Sequence, residues 1–417
     1  MAALILMVSG SLRDFVTAQG YWGAWGVWAV ATLFATRTAG DFTTLPHPPV
    51  WVTTSYAVLG FGMLLSAAVN RDWVSAYQAV KIGVIALMFV AMWRLVPWLD
   101  WRRLIVAMIW AIVVAFIGLA MTKVWSPTSQ ILFWATREGS FLAEYGVLWR
   151  GGVFFLPIFL ADAVRTPSAW ARNSLMIAAC IFLVLIDGSR TGLLLVMAIG
   201  MGFLVFLAWR GGWGMLRWQL RWMGAAAVLL LALQLLNTGV NLWLGGHGAG
   251  SGVVSAAQDR VNTVAVESKR VLEGALNRTF ETRIGAGDPA RVKLLRASLD
   301  QVGPCQPFGC GFKMTGTEIE GTKGLMPVHN AYLAALGDFG ILGLTGMLGF
   351  LMAAVLPILR VLRQGDRSEQ GLFVVAASGS ALAYGMALML NTFTTEMSEW
   401  GYLILMLAFA WAPAKGT

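Results

Sequence analysis

The residues best suited to chemistry in this chain are few and widely separated. His329 stands at the boundary between a polar loop and a long apolar run, in Val328-His329-Asn330 followed by AYLAALGDFGILGLTG. An imidazole exchanges a proton near neutral pH, its unperturbed pKa being about 6.5, so a histidine at such a boundary suits acid–base work. The competing explanation is a polar residue capping a helix start. Gly337, Gly340 and Gly343 follow on the same predicted helix, where they let another backbone or a ligand come close. Arg190 lies in IDGSRTGLLL between two apolar runs, flanked by Ser189 and Thr191. Arginine is costly at membrane depth and is usually there to pair with something. Its planar fork, beside the free N–H groups of a helix start, suits the oxygens of a phosphate. Pairing with Asp187 or with lipid headgroups would account for it equally well.

Other charged residues are weaker candidates. Arg291, in DPARVKLLRASLDQV, shares a helical face with Leu294, Leu295 and Ser298, and its surroundings do not raise it above Arg296. Arg150, in YGVLWRGGVFFLP, lies at another span end. Lys81 falls about two turns inside a span, where it must pair or snorkel outward. Glu396 and Glu399 stand between the last two spans. Carboxylates there could orient His329 or bind a sugar hydroxyl, but solvated loop residues are the simpler expectation.

The elements that must position these residues are membrane spans. The chain has 417 residues, 58% hydrophobic and 12% charged, more apolar surface than a soluble domain of that length can bury. Apolar runs of spanning length number about twelve. They divide the chain into 1–236 with nine spans, 237–328 as one large polar loop, and 329–417 with three. The expected fold class is an all-α polytopic membrane protein. The first run, 1–12, is short and lacks the basic start and cleavage site of a signal peptide. Many of the twenty tryptophans, Trp22, Trp98 and Trp213 among them, cluster at predicted span ends, as an aromatic belt does.

Short loops carrying Arg94, Arg102, Arg103, Arg165, Arg172, Arg210, Arg217, Arg221, Arg360, Arg363 and Arg367 all fall on one face. That face is expected in the cytoplasm. The net charge of +9 is then largely a topology signal, and no basic-aromatic pattern points to nucleic acid. The loop 237–328 lies on the opposite face, with helical stretches expected near 256–276 and 288–302. Ten basic and eight acidic residues in it nearly balance, which argues against simple adhesion to anionic lipid. Cys305 and Cys310 bracket QPFG there. An oxidising compartment favours a bridge between them, the alternative being two free thiols. No ligand cluster suggests a metal, and no cofactor is expected.

His329-Asn330, nine residues, then Gly340-Ile-Leu-Gly343-Leu-Thr345 resembles the signature of the bacterial O-antigen ligases, within the O-antigen ligase/polymerase group of membrane glycosyltransferases. The family pattern ends Gly-x-x-Gly-Thr-x-Thr, and Leu344 departs from it. Ser189-Arg190-Thr191 is similar to the family's Ser-Arg-Thr turn. Arg291-Val-Lys-Leu-Leu with PFGCGF is similar to its Arg-x-x-Leu-Trp stretch and Pro-x-Gly-x-Gly tail, Leu295 replacing the Trp. The resemblance implies a GT-C-like fold in a bacterial inner membrane, with its site on the periplasmic face. It implies transfer of O-antigen from undecaprenyl diphosphate to a sugar hydroxyl of lipid A–core, inverting and metal-independent. His329 would be the general base, and Arg190 and Arg291 would stabilise the diphosphate. Asn330, Arg150, Ser189 and Lys81 would contact substrate. An O-antigen polymerase or a protein O-oligosaccharyltransferase of the same group would share these residues. A lipid-linked glycan flippase is the reading from a different class, and it should carry charges through the middle of its spans.

Overall fold

The structure is a computed structural model and describes residues 12–38, 47–96, 100–125, 148–187, 189, 191–211, 224–229, 232, 289–318, 325–395 and 397–412. Eleven helices matter for the argument. They are α1 (Leu12–Thr38), α2 (Val50–Asn70), α3 (Trp73–Leu95), α4 (Trp101–Trp125), α5 (Leu148–Arg165), α6 (Trp170–Asp187), α7 (Thr191–Gly211), α8 (Pro289–Val302), α9 (Ala331–Gln364), α10 (Glu369–Leu388) and α11 (Met397–Ala410). Two three-residue strands, β1 (Gly316–Glu318) and β2 (Leu325–Pro327), pair antiparallel just before α9. Seven helices among the described residues are long and apolar enough to cross a membrane, an architecture compatible with a helical membrane protein. The sequence led us to expect about twelve spans. Of the other five, 1–12 and 219–237 lie almost entirely outside the described residues, 21–36 and 145–164 fall in α1 and α5, which are not among the seven, and α11 is apolar but short. The helix expected near 256–276 also lies outside them, and the one expected over 288–302 is α8.

Helices suit a bilayer because every interior backbone group is satisfied within the segment. Helix starts leave N–H groups without partners, and at several of them a side chain caps the turn. Asp72 accepts from the amides of Val74 (2.9 Å) and Ser75 (3.1 Å) at α3, and Ser368 accepts from Gly371 (3.1 Å) at α10. Neighbouring helices in space are α2 with α3 and α9, α5 with α6 and α10, and α11 with α10 and α3. Between them lies an aromatic core that includes Trp25, Phe89, Phe154, Phe159, Phe339, Trp400 and Tyr402.

The α2–α9 pair approaches most closely. A Cβ on Gly62 would lie 2.9 Å from the amide nitrogen of Gly343, and one on Gly346 would lie 2.6 Å from the Leu59 Cβ. Small residues at such a seam let two backbones pack tightly where lipid supplies no hydrophobic drive. The two helices run antiparallel, so the C-terminal end of α2 meets the first part of α9.

The bundle has two chemically different ends. At one, Arg165 pairs with Glu369 (2.9 Å), Arg210 donates to the carbonyl of Arg367 (2.9 Å), and Arg360 lies over the ring of Trp411. Arg102 lies here too, beside Arg165 and Glu369, so described basic residues from several of the loops noted in the sequence gather at this end. The segment Gly303–Thr315, with α8 and the β-hairpin, covers the other end.

Candidate functional site

The site is organised by a break in α9. Gly340 has φ 70 and ψ −164, a conformation essentially reserved for glycine. The two halves, 331–339 and 341–364, fold back on each other. A Cβ on Gly343 would lie 2.5 Å from the carbonyl oxygen of Ala335. Tyr332 lines one small cavity with Met347, Phe350 and Leu351. In a continuous helix Tyr332 and Leu351 would stand about 28 Å apart. The apolar run 329–359, expected as one straight span beginning at His329, is therefore two segments. The bend carries His329 back alongside the longer half, and Gly340 occupies the turn.

His329 is half-buried and follows the buried Val328. It is not the cap of α9. Asn330 is, its Oδ1 accepting from the amides of Tyr332 (3.1 Å) and Leu333 (3.0 Å). The Tyr332 hydroxyl donates to the carbonyl of Gly385 (2.9 Å), fixing the start of α9 to the last turn of α10.

The residue before Gly385, Tyr384, has its ring 6.3 Å from that of Trp400 in the first turn of α11. Immediately before it, Glu399 pairs with Arg150 in the first turn of α5, Nη2 to Oε1 at 2.6 Å. The Arg150 guanidinium also lies over the ring of Trp149. Phe154, one turn further along α5, packs against both Tyr384 and Tyr402. The Trp149 amide donates to the buried carboxylate of Asp187 (3.0 Å), and Gly192 packs against the Trp149 side chain. Ser189 is buried and caps α7, its Oγ accepting from Gly192 (3.0 Å).

The structure thus joins Asn330, Arg150 and Ser189 through one continuous set of contacts among the starts of α5, α7, α9 and α11 and the end of α10, and His329 directly precedes Asn330. Arg190 lies outside the described residues, as does the side chain of Arg291. The backbone of Arg291 is one turn before the buried Leu294 on α8. Ser298 is buried as that face requires, whereas Leu295 is exposed. Lys81 has its ammonium over the rings of Trp22 (5.3 Å) and Tyr77 (5.2 Å), which holds the charge between α1 and α3.

Two carboxylates differ from the sequence reading, Glu399 by its surroundings and Asp338 because nothing in that reading singled it out. Glu399 was expected in solvent, but its side chain is only 13% exposed because it pairs with Arg150. Asp338 is buried, and it accepts from the amides of Lys313 (2.8 Å) and Thr315 (2.9 Å) and from the Thr315 hydroxyl (2.5 Å). The available signal was an acid inside an apolar run, ALGDFGIL, where an uncompensated charge is expensive.

Cys305 and Cys310 form a disulfide, and the segment they close seats on the break. Asn70 donates to the carbonyl of Gly309 (2.9 Å), and the Phe312 amide donates to Asp72 (3.1 Å) and Ser75 (2.8 Å). In comparisons with known proteins, the chain matches no family model and no curated protein.

Proposed function

We propose that this protein is an O-antigen ligase, a glycosyltransferase that moves a glycan from a polyprenyl diphosphate carrier to a sugar hydroxyl of lipid A–core. The observation that carries the reading is the fold-back at Gly340. It returns the His329 end of α9 to the helix starts that hold Arg150 and Ser189. The base candidate then stands next to Asn330, at the head of the contact chain that leads to the phosphate-binding candidate Arg150. Asn330, not His329, supplies the side-chain cap of α9.

The chemistry follows from these residue types. His329 takes the proton of the acceptor hydroxyl as its oxygen bonds to the anomeric carbon. The bond from that carbon to the phosphate oxygen breaks, and both of its electrons leave with the diphosphate. Attack opposite the leaving group inverts the anomeric centre. Negative charge grows on the diphosphate along this path, so arginines at its oxygens favour the transition state over the ground state. Arg190, Arg291 and Arg150 are assigned that role. The arginine-rich end would face the cytoplasm, and the disulfide end an oxidising periplasm.

Purified protein supplied with undecaprenyl-diphosphate-linked glycan and lipid A–core should form lipopolysaccharide, and His329→Ala should not. Absence of product from the wild-type protein under these conditions rejects the ligase reading.

A further inference from the structure

Arg150 and Glu399 open two helices that are remote in sequence, and their side chains are only 16% and 13% exposed. A cation in the first turn of a helix sits at the wrong end of the helix dipole. The anion Glu399, in the first turn of α11, sits at the right one. The backbone of Arg150 is held on all sides. The Trp149 amide is bonded to Asp187, Gly192 packs on the Trp149 side chain, and a Cβ on Gly152 would overlap the carbonyl of Cys180. Only the long side chain of Arg150 is left to be aimed. The Trp149 ring takes one face of its guanidinium, and Glu399 takes an N–H at Nη2. Five N–H groups in a rigid fork leave several for a second acceptor.

We propose that Glu399 is a positioning residue that aims the Arg150 guanidinium at a phosphate of the lipid donor. This rests on the transferase reading above. The carboxylate has two opposed effects on an arriving phosphate. It fixes the fork in advance, so that less side-chain freedom is lost on binding, and it repels the phosphate's own charge. Because the two partners already touch and the repelled charge is one bond network further away, aiming outweighs repulsion. The variants separate the effects. Glutamine keeps an oxygen acceptor in place and removes the repulsion, whereas alanine releases the fork.

The test is binding of undecaprenyl diphosphate, carrying no glycan, to purified protein in detergent, followed by tryptophan fluorescence. Glu399→Ala should bind about tenfold more weakly, with thermal stability measured alongside, and Glu399→Gln should stay within about threefold of wild type. In the transfer assay the alanine variant should raise the donor KM and leave the acceptor KM unchanged. If Glu399→Ala does not insert stably, Glu399→Asp replaces it; it keeps the charge but withdraws the oxygen, and should weaken donor binding similarly. Donor binding by the alanine variant equal to or tighter than wild type overturns the proposal. So does an equal loss in the alanine and glutamine variants, the mark of a purely structural pair. Wild-type protein that ignores the lipid ends the transferase reading and this inference with it. Wild-type protein that binds it while all variants match ends this inference alone.

Discussion

The carbonyl oxygen of Pro307 accepts a hydrogen bond from the amide of Ile341 at 3.2 Å, across the point where α9 breaks. Ile341 is the first residue beyond Gly340, and its amide has lost the helical acceptor four residues back. The orphaned carbonyls before the break are served from the same segment. Leu336 accepts from the Gln306 side chain (2.9 Å), Gly337 from the amide of Cys310 (2.9 Å), and Asp338 from the amide of Gly311 (3.0 Å). Asp338 also accepts at its carbonyl from Ser66 of α2 (2.7 Å). The segment around the disulfide thus replaces, bond for bond, what a continuous helix would have supplied. Non-helical backbone near a bilayer needs such internal satisfaction.

Gly340→Ala should therefore be among the most damaging single-methyl changes in the chain. The new Cβ would overlap the Pro307 carbonyl, and the backbone angles are closed to other residues. Strained backbone of this kind costs on the order of 1–3 kcal/mol before any clash is counted. Gly365, also at positive φ but with open space around its Cβ position, is the control. Thermal unfolding in detergent should show a large drop for Gly340→Ala and a small one for Gly365→Ala. Equal drops would mean that the Pro307 contact is unimportant.

The bridge between Cys305 and Cys310 should stabilise the same junction. Closing so short a loop limits the unfolded chain by roughly 2 kcal/mol. Replacing both cysteines by serine should lower the unfolding temperature and slow transfer, and a reductant should do the same to wild type. Cys180 is buried, so it should not react with thiol reagents in the folded protein. An unchanged double-serine variant would show that the hydrogen bonds to α9 hold the segment unaided.

Part of this design is legible in the sequence. Asn330 ahead of an apolar run announces a helix start, and Gly340 and Gly343 announce close approach. The fold-back does not show, because the apolar pattern reads as helix on both sides of Gly340 and one glycine is compatible with a straight helix. The disulfide does not show either, because spacing alone does not bring two thiols together. Arg150 and Glu399 each look like loop-end charges; their pairing exists only once α5 and α11 are neighbours through α10. The depth of Lys81 in its span calls for company, and Tyr77, one turn earlier on α3, is legible from the sequence, whereas Trp22 of α1 is not.

Asp72 links the α2–α3 turn to the covering segment, and its titration has a predictable sign. Burial alone would push its carboxyl up, but hydrogen bonds from the Ser75 hydroxyl and the amides of Phe312, Val74 and Ser75 outweigh that and hold it below the ordinary 3.8. A carboxyl lowered in the folded state stabilises the fold above its ordinary pKa, and this contribution is lost as pH falls through the lowered value. Asp72→Asn should therefore unfold at a lower temperature than wild type at neutral pH. The gap should narrow only below about pH 4. A gap that already closes near pH 6 would point to a different group.

His329 as the acceptor-activating base makes the sharpest prediction. Its neighbour Asn330 already supplies the side-chain oxygen that caps α9, so removing the imidazole leaves the helix start intact. His329→Ala and His329→Gln should then insert normally, keep binding the polyprenyl diphosphate through the arginines, and fail in transfer. Glutamine retains hydrogen-bonding atoms but cannot accept the proton, which makes it the more telling variant. In wild type the base must be neutral to act, so the rate should fall as pH drops through the range where an imidazole takes up a proton, about 6.5. Donor binding should not follow that curve, since arginine stays charged throughout. Wild-type transfer by the glutamine variant, or a rate indifferent to pH between about 5 and 8, would reduce His329 to a positioning role. The search for the base would then move to Glu396, Glu399 and the loop carboxylates, of which Glu399 lies in the contact chain that runs from Tyr332 through Tyr384 and Trp400.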